Sequence, residues 1–209
     1  SEEPVLDRDR RPFVFTHVIP GMFTSAVSIF AAGSALNWVK STLCANLQRE
    51  AEEAGRDVYE LLGETAEGSP VGARGLLFNP SLAGGSSQED SPHVRGAFLG
   101  IDLAHTQADL VRATFEGIAL NLASALEVLR GMRALSETMV LVGGGSRSAL
   151  WRQIFADAYG MEILRTGVDQ DAGALGAAAV GAVGSGLWDD FTPIDRVQGE
   201  EQRTRPVPE

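Results

Sequence analysis

The chain has 209 residues, 44% of them hydrophobic and 22% charged, enough to bury a core in one sizeable domain or two small ones. With 17 Lys and Arg against 28 Asp and Glu, the formal net charge is -11, which argues against non-specific binding to nucleic acid or to an anionic membrane surface. A polyanionic ligand would have to be held by backbone amides, helix ends and metal ions rather than by a basic pocket.

Residues 1–11 are polar and charged and read as a linker or tail, with no signal peptide. Pro12 to Ile19 reads as a strand ended by Pro20-Gly21. From about Thr24 to Leu47 the apolar spacing becomes helical through Val27, Phe30, Leu36, Val39, Leu43 and Leu47. Gly33 then falls inside a helix, where glycine costs about 1 kcal/mol relative to alanine, so it marks a close approach by a neighbour or a ligand. The lone Cys44 excludes an internal disulfide and reads as a buried, reduced thiol of a cytoplasmic protein.

Glu50 to Leu62 reads as a second, more polar helix, Glu64 to Gly75 as loop, and Leu76-Leu77-Phe78 as a short strand stopped by Asn79-Pro80. Ser81 to His93 is rich in Gly, Ser, Asp and Pro and reads as a surface loop. Its His93 beside Glu89 and Asp90 is too sparse a set for a metal site, and all three histidines read as structural. Gly96 to Ile101 is another short strand. Thr106-Gln107-Ala108-Asp109 has the form of a capping box opening a helix to about Met132, which buries Leu110, Phe115, Ile118, Leu122, Leu126 and Leu129. Glu116 interrupts its apolar face and reads as an exposed or paired carboxylate on the helix flank.

Met139 to Val142, Gly143-Gly144-Gly145 and the segment from Ser146 read as strand, glycine turn and helix, with Ser146 or Ser148 as the cap and Leu150, Trp151, Ile154 and Phe155 on the helix's inner face. Such a turn presents N–H groups and a positive helix end to a nucleotide or another polar ligand. Two other readings stand beside that one. The turn could serve packing alone. Alternatively, Gly143, Gly145 and Ser148 approach a dinucleotide-binding spacing, with Arg165 at the end of the next strand, Met161 to Arg165, to meet a 2′-phosphate. A last helix runs from about Asp171 to Gly186 with Gly173, Ala177 and Gly181 on one face, suited to close helix packing. The uncharged run Ala172 to Trp188 is too short and too rich in Gly and Ala for a membrane span. Residues 189–209 read as a charged, partly disordered tail. Strands joined by helices and Gly turns indicate an α/β domain.

Three stretches together resemble the C-terminal half of the FGGY carbohydrate kinases. They are Gly96 to Ile101 with Asp109-Leu110-Val111-Arg112-Ala113-Thr114-Phe115-Glu116; Gly143 to Gln153 with Ala156-Asp157; and Ala174-Leu175-Gly176-Ala177-Ala178. The second is very like the xylulokinase form of the nucleotide motif. The resemblance covers residues 12–188 and displaces the dinucleotide reading. It implies a ribonuclease H-like domain of the actin/hexokinase/Hsp70 ATPase type, the second lobe of a two-lobe kinase that phosphorylates a small sugar or polyol, xylulose or a related ketose, with ATP and Mg²⁺. By position it implies nucleotide contacts at Gly33, Asn37, Gly144, Gly145, Ser146, Ser148 and Ala149. It places the catalytic base in an N-terminal lobe and implies a homodimer; no metal ligand is assigned in this chain. The competing reading is a non-catalytic nucleotide-binding or interaction module on the same fold. One departure bears on the sugar: Ala83-Gly84-Gly85-Ser86-Ser87-Gln88 replaces a Gly-Glu-Arg-x-Pro motif.

Overall fold

The structure, a computed structural model, describes residues 1–7, 12–86, 88–89, 91–199 and 202–208. They form two compact units, Ser1–Leu135 and Ser136–Glu209. Residues 8–11 of the expected linker, Ser87 and Asp90 of the loop, and residues 200, 201 and 209 of the expected tail lie outside the described residues.

In the first unit, strands β1 (Phe13–Thr16) and β2 (Phe23–Ala26) pair antiparallel with Val14 opposite Ser25 and Phe15 opposite Thr24. The Pro20-Gly21 turn closes them, with Gly21 at φ 79° and the His17 N–H donating to the Met22 carbonyl at 2.8 Å. The helix expected from Thr24 therefore starts later. Thr24 and Ser25 are mediocre helix formers, and the turn lays them against β1, where the ladder satisfies their backbone. Helix α1 (Gly33–Leu43) begins at Gly33, so that glycine carries no interior helix penalty. Its Ala35, Leu36 and Val39 are buried.

Cys44 is fully buried at the break between α1 and α2 (Ala45–Ala54), and burial pushes its thiol pKa up. The single helix expected over 50–62 is two. α2 ends at Gly55, which adopts φ 63°, and α3 (Val58–Glu67) starts under the Asp57 carboxylate, which accepts from the Tyr59 N–H. A left-handed glycine cap followed by an aspartate N-cap stops and restarts a helix within three residues.

Strands β3 (Leu77–Asn79) and β4 (Ala97–Leu99) pair antiparallel, with Phe78 opposite Phe98 and their rings 4.6 Å apart. Helix α4 (Gln107–Met132) opens with the expected capping box, and Phe115, Ile118 and Leu126 are in its buried face. Leu110, Leu122 and Leu129 are only partly covered. The Phe78 carbonyl occupies the space a Cβ on Gly117 would need, so β3 lies backbone-close against α4. The Asp109-to-Glu116 stretch also braces a strained turn. Ala73 and Arg74 sit at φ 45° and 57°, a conformation that costs roughly 1–2 kcal/mol per residue with a side chain. Glu116 accepts from the Gly72 N–H at 3.1 Å and from Arg112 Nε at 2.6 Å, while Asp109 receives the Ser69 hydroxyl at 2.7 Å and faces Arg74 Nε at 3.4 Å. Glu116 is thus a paired carboxylate on the helix flank.

In the second unit, β5 (Thr138–Val140) and β6 (Glu162–Arg165) run parallel, connected through α5 (Ala149–Tyr159). α6 (Ala172–Gly184) and a short α7 (Ile194–Val197) follow. The stretch read as a tail then supplies β7 (Gln202–Thr204), antiparallel on β6. Arg203 and Arg205 both reach Glu162, at 2.9 and 3.0 Å, and the Val207 N–H donates to Asp157. A polar edge strand held by charge and ladder bonds has no hydrophobic alternation to announce it. The small-residue face of α6 does not make the close packing expected of it: a Cβ placed on Gly173, Gly176, Gly181 or Gly184 would meet no described atom within 4 Å, and of this helix only Ala179 is buried.

Candidate functional site

The strand–turn–helix of the second unit forms as its sequence indicates. Past β5, the Leu141 N–H donates to the Leu164 carbonyl at 2.8 Å, which carries the parallel pairing one residue further. Gly143 turns the chain at φ 88° and donates its N–H to the Asp169 carbonyl at 3.0 Å. Residues Gly144–Arg147 make one 3₁₀ turn, and Ser148 caps α5 by accepting from the Trp151 N–H at 3.2 Å. Of the two candidate caps, Ser148 is the one used. Ser146 is fully buried, and its hydroxyl donates to the Gly143 carbonyl at 2.7 Å with Asp169 Oδ1 at 3.1 Å. Its N–H donates to the Gly143 carbonyl at 3.0 Å and its carbonyl accepts from Arg152, so the whole residue stiffens the turn from within and the contact expected at Ser146 is not presented to solvent.

The two middle glycines differ. A Cβ on Gly145 would stand 3.1 Å from the Trp151 ring, so any larger residue here must push that ring aside by a few tenths of an ångström. Trp151 in turn stacks on Phe155 with ring centroids 5.4 Å apart. A Cβ on Gly144 meets only Gln170 Nε2 at 3.6 Å, an ordinary contact, and Gly144 is exposed, as is Ala149. The solvent-facing lip of the turn is therefore Gly144 and Ala149, with Gly145 and Ser148 partly covered.

Beneath the turn lies a charged network that sequence reasoning does not identify. Arg165 holds Asp169 in a two-point pair, at 2.8 and 2.5 Å, which keeps the Asp169 carboxyl below its usual range and raises the guanidinium. Arg165 is thus occupied by a carboxylate rather than presented to a 2′-phosphate, which counts against the dinucleotide reading. Arg152, itself buried, donates through Nη1 to the Ser146 and Arg147 carbonyls. The available signal is Asp169-Gln170-Asp171, an acidic cluster just before α6, four residues beyond Arg165.

Gly33 and Asn37 belong to the first unit, where they stand one turn apart on the exposed face of α1, opposite the buried Ala35, Leu36 and Val39. No described atom lies within 4 Å of a Cβ position on Gly33, so the close approach expected there is not made by these residues. The same unit has an open groove of about 280 Å³ lined by Leu77, Leu99 and Leu120 with Glu116 and Asn121, and none of the expected site residues lines it. In the loop before β4, Glu89 accepts from the Ser86 N–H and hydroxyl and from the Ser81 hydroxyl, so it closes the loop on itself. Asp102 caps its own turn through the Ala104 N–H, and Asp157 receives Gln153 Nε2. Among the described residues there is no group of three or more His, Cys, Asp and Glu placed to hold a metal ion, and no helix is long and apolar enough to cross a membrane.

Residues 1–185 match the model of the FGGY family of carbohydrate kinases, C-terminal domain, and the chain belongs to that family. It is 32% identical over 184 residues to a xylulose kinase of Staphylococcus epidermidis, covering 88% of this chain and 35% of that protein. It is 30% identical to a gluconokinase of Bacillus subtilis, covering 84% of this chain and 34% of that one. The chain thus spans about a third of the length of these relatives. In fold it resembles a ligand-bound xylulose kinase of Lactobacillus acidophilus, with a TM-score of 0.81 at 23% identity over 99% of this chain and 40% of the other.

Proposed function

We propose that this chain is the nucleotide-holding lobe of a kinase that moves the γ-phosphoryl of ATP to a hydroxyl of a small sugar or polyol, a ketose such as xylulose foremost. The fold is then ribonuclease H-like, of the actin/hexokinase/Hsp70 ATPase type, and stands beside an N-terminal lobe, with β7 part of the second unit's sheet rather than of a tail. The observation that carries the reading is the exposed corner at Gly144 and Ala149, where a parallel strand ends, a helix begins, and no Cβ of the chain blocks the Gly144 backbone. In the second unit adenosine rests on Gly144, Gly145, Ser148 and Ala149, with Ser146 holding the turn's shape from inside; for Gly33 and Asn37 of the first unit the family resemblance alone supports a nucleotide contact.

Phosphoryl transfer needs positioning, charge neutralisation and a carboxylate to accept the hydroxyl proton. Here the carboxylate base and the groups that hold Mg²⁺ against the phosphates come from the N-terminal lobe. Mg²⁺ supplies the charge neutralisation when bound. The protein works in the cytoplasm as a homodimer. The test is a coupled ATP-consumption assay on the intact protein with pentuloses, gluconate, glycerol and other polyols. Turnover with at least one ketose supports the reading. ATP binding with no turnover on any sugar would favour a non-catalytic module.

A further inference from the structure

We propose that Arg152 is a positioning residue for the nucleotide: from beneath the glycine turn it fixes the peptide planes of residues 146–148 and supplies a positive charge that an anionic ligand offsets. The inference rests on the reading of the turn as a nucleotide seat.

Arg152 is 9% exposed and lies in the first turn of α5. Its Nη1 donates to the Ser146 carbonyl at 2.5 Å and the Arg147 carbonyl at 3.1 Å, while its Nε is buried without a hydrogen-bond partner among the described residues. A trans peptide is planar, so a carbonyl and the following N–H point to opposite sides. Carbonyls drawn inward onto Arg152 therefore turn the amides of Arg147 and Ser148 toward the other side of the turn. One buried guanidinium thus sets the direction of two donors next to Gly144 and Ala149.

The charge has no carboxylate of its own among the described residues. Of the charged groups, Arg165 repels it and Asp169 attracts it, but Asp169 is already bound at two points by Arg165, and burial pulls the Arg152 pKa down. The positive end of α5 disfavours a cation in its first turn as well. A buried cation satisfied only by carbonyl oxygens is costly to a free protein. A ligand bearing phosphates relieves that cost, and by linkage the same interaction tightens its binding. The ligand class is a nucleoside di- or triphosphate, and the uncharged sugar is indifferent to the residue.

The experiment compares Arg152→Lys and Arg152→Gln in the intact protein, with steady-state kinetics and with ADP-induced shifts in melting temperature. Lys keeps the charge; Gln keeps an N–H donor to the two carbonyls and removes the charge. Gln is expected to raise the KM for ATP about tenfold and to reduce the ADP-induced shift, with the sugar KM and kcat within twofold of the parent. Lys is expected to stay within about threefold in all three. If both variants melt lower without ligand but keep the parent's KM for ATP and its ADP shift, Arg152 is a structural brace only and the proposal fails. A rise of both KM values in parallel would overturn it too. If the parent itself gains no stability from ADP and consumes no ATP, the nucleotide reading fails instead, whatever Arg152 does.

Discussion

Asp109 gives the sharpest stability prediction. Its side chain is 2% exposed and ties three segments together. Oδ2 accepts from the Thr106 N–H and hydroxyl, both at 2.8 Å, and Oδ1 accepts from the Ser69 hydroxyl at 2.7 Å, with Arg74 Nε at 3.4 Å. Asp109→Asn keeps the shape but turns an amide NH₂ toward one set of donors. The capping box of α4 then opens and at least one buried donor loses its acceptor. A lost cap costs about 1 kcal/mol and an orphaned buried donor about 1–3 kcal/mol, so the variant should be less stable by roughly 2–4 kcal/mol at neutral pH. These bonds, that to Ser69 first, hold the carboxyl down to about 2 against an ordinary value of 3.8. A depressed folded-state value means stability present above about pH 4 and lost as pH falls through about 2. Urea unfolding of the parent and the variant at several pH values between 7 and 2 reads both effects. The gap between the two proteins should be widest at pH 5 to 7 and close toward pH 2. A gap under 0.5 kcal/mol at pH 7, or one that is the same at pH 3 and pH 7, would refute the reasoning.

Three further outcomes are expected. Gly117→Ala should destabilise by more than about 2 kcal/mol, because the Phe78 backbone carbonyl fills the Cβ position and cannot move without shifting β3; thermal melting checks this. Removing residues 199–209 should lower the melting temperature of the second unit and speed amide exchange in β6, because β7 and the Glu162 pairs with Arg203 and Arg205 are lost; unchanged β6 protection would mean that β7 contributes nothing. On the proposed reading, in which the base and the opposing phosphate wall belong to an N-terminal lobe, this chain purified alone should show no sugar-dependent ATP consumption; clear turnover would point first to Asp102, Asp157 and Asp171.

The turn that matters most is legible in the sequence because its signals are local. Three glycines, a capping serine and an apolar helix face lie within a dozen residues, and each has one dominant structural use. The capping box at Thr106 and the paired state of Glu116 are legible for the same reason. The hairpin is only half legible: Pro20-Gly21 marks the turn, but Thr24 to Ala31 carries apolar spacing compatible with a helix, and the choice of β2 is made by pairing with Phe13 to Thr16. β7 is invisible because its stability comes from charges on a neighbouring strand. The floor of the turn is misjudged because Arg152, Arg165 and Asp169 are ordinary surface residue types: Arg165 draws attention only as a partner for a 2′-phosphate, and nothing in the spacing shows that it pairs with Asp169 or that Arg152 is turned inward. Ser146 reads as a contact, yet its hydroxyl is spent on the Gly143 carbonyl.

The measurement that bears most directly on the account is calorimetric titration of ADP into the intact protein and its Gly144→Val variant. Gly144 is exposed, and a Cβ there meets only Gln170 Nε2 at an ordinary contact distance, so the fold has room for a Cβ and the melting temperature checks the γ-methyls. If adenosine sits on this turn, the variant should keep the parent's melting temperature within a few degrees and lose ADP affinity by tenfold or more. Equal affinity in the two proteins, with both folded, would contradict the assignment of the glycine turn as the nucleotide seat.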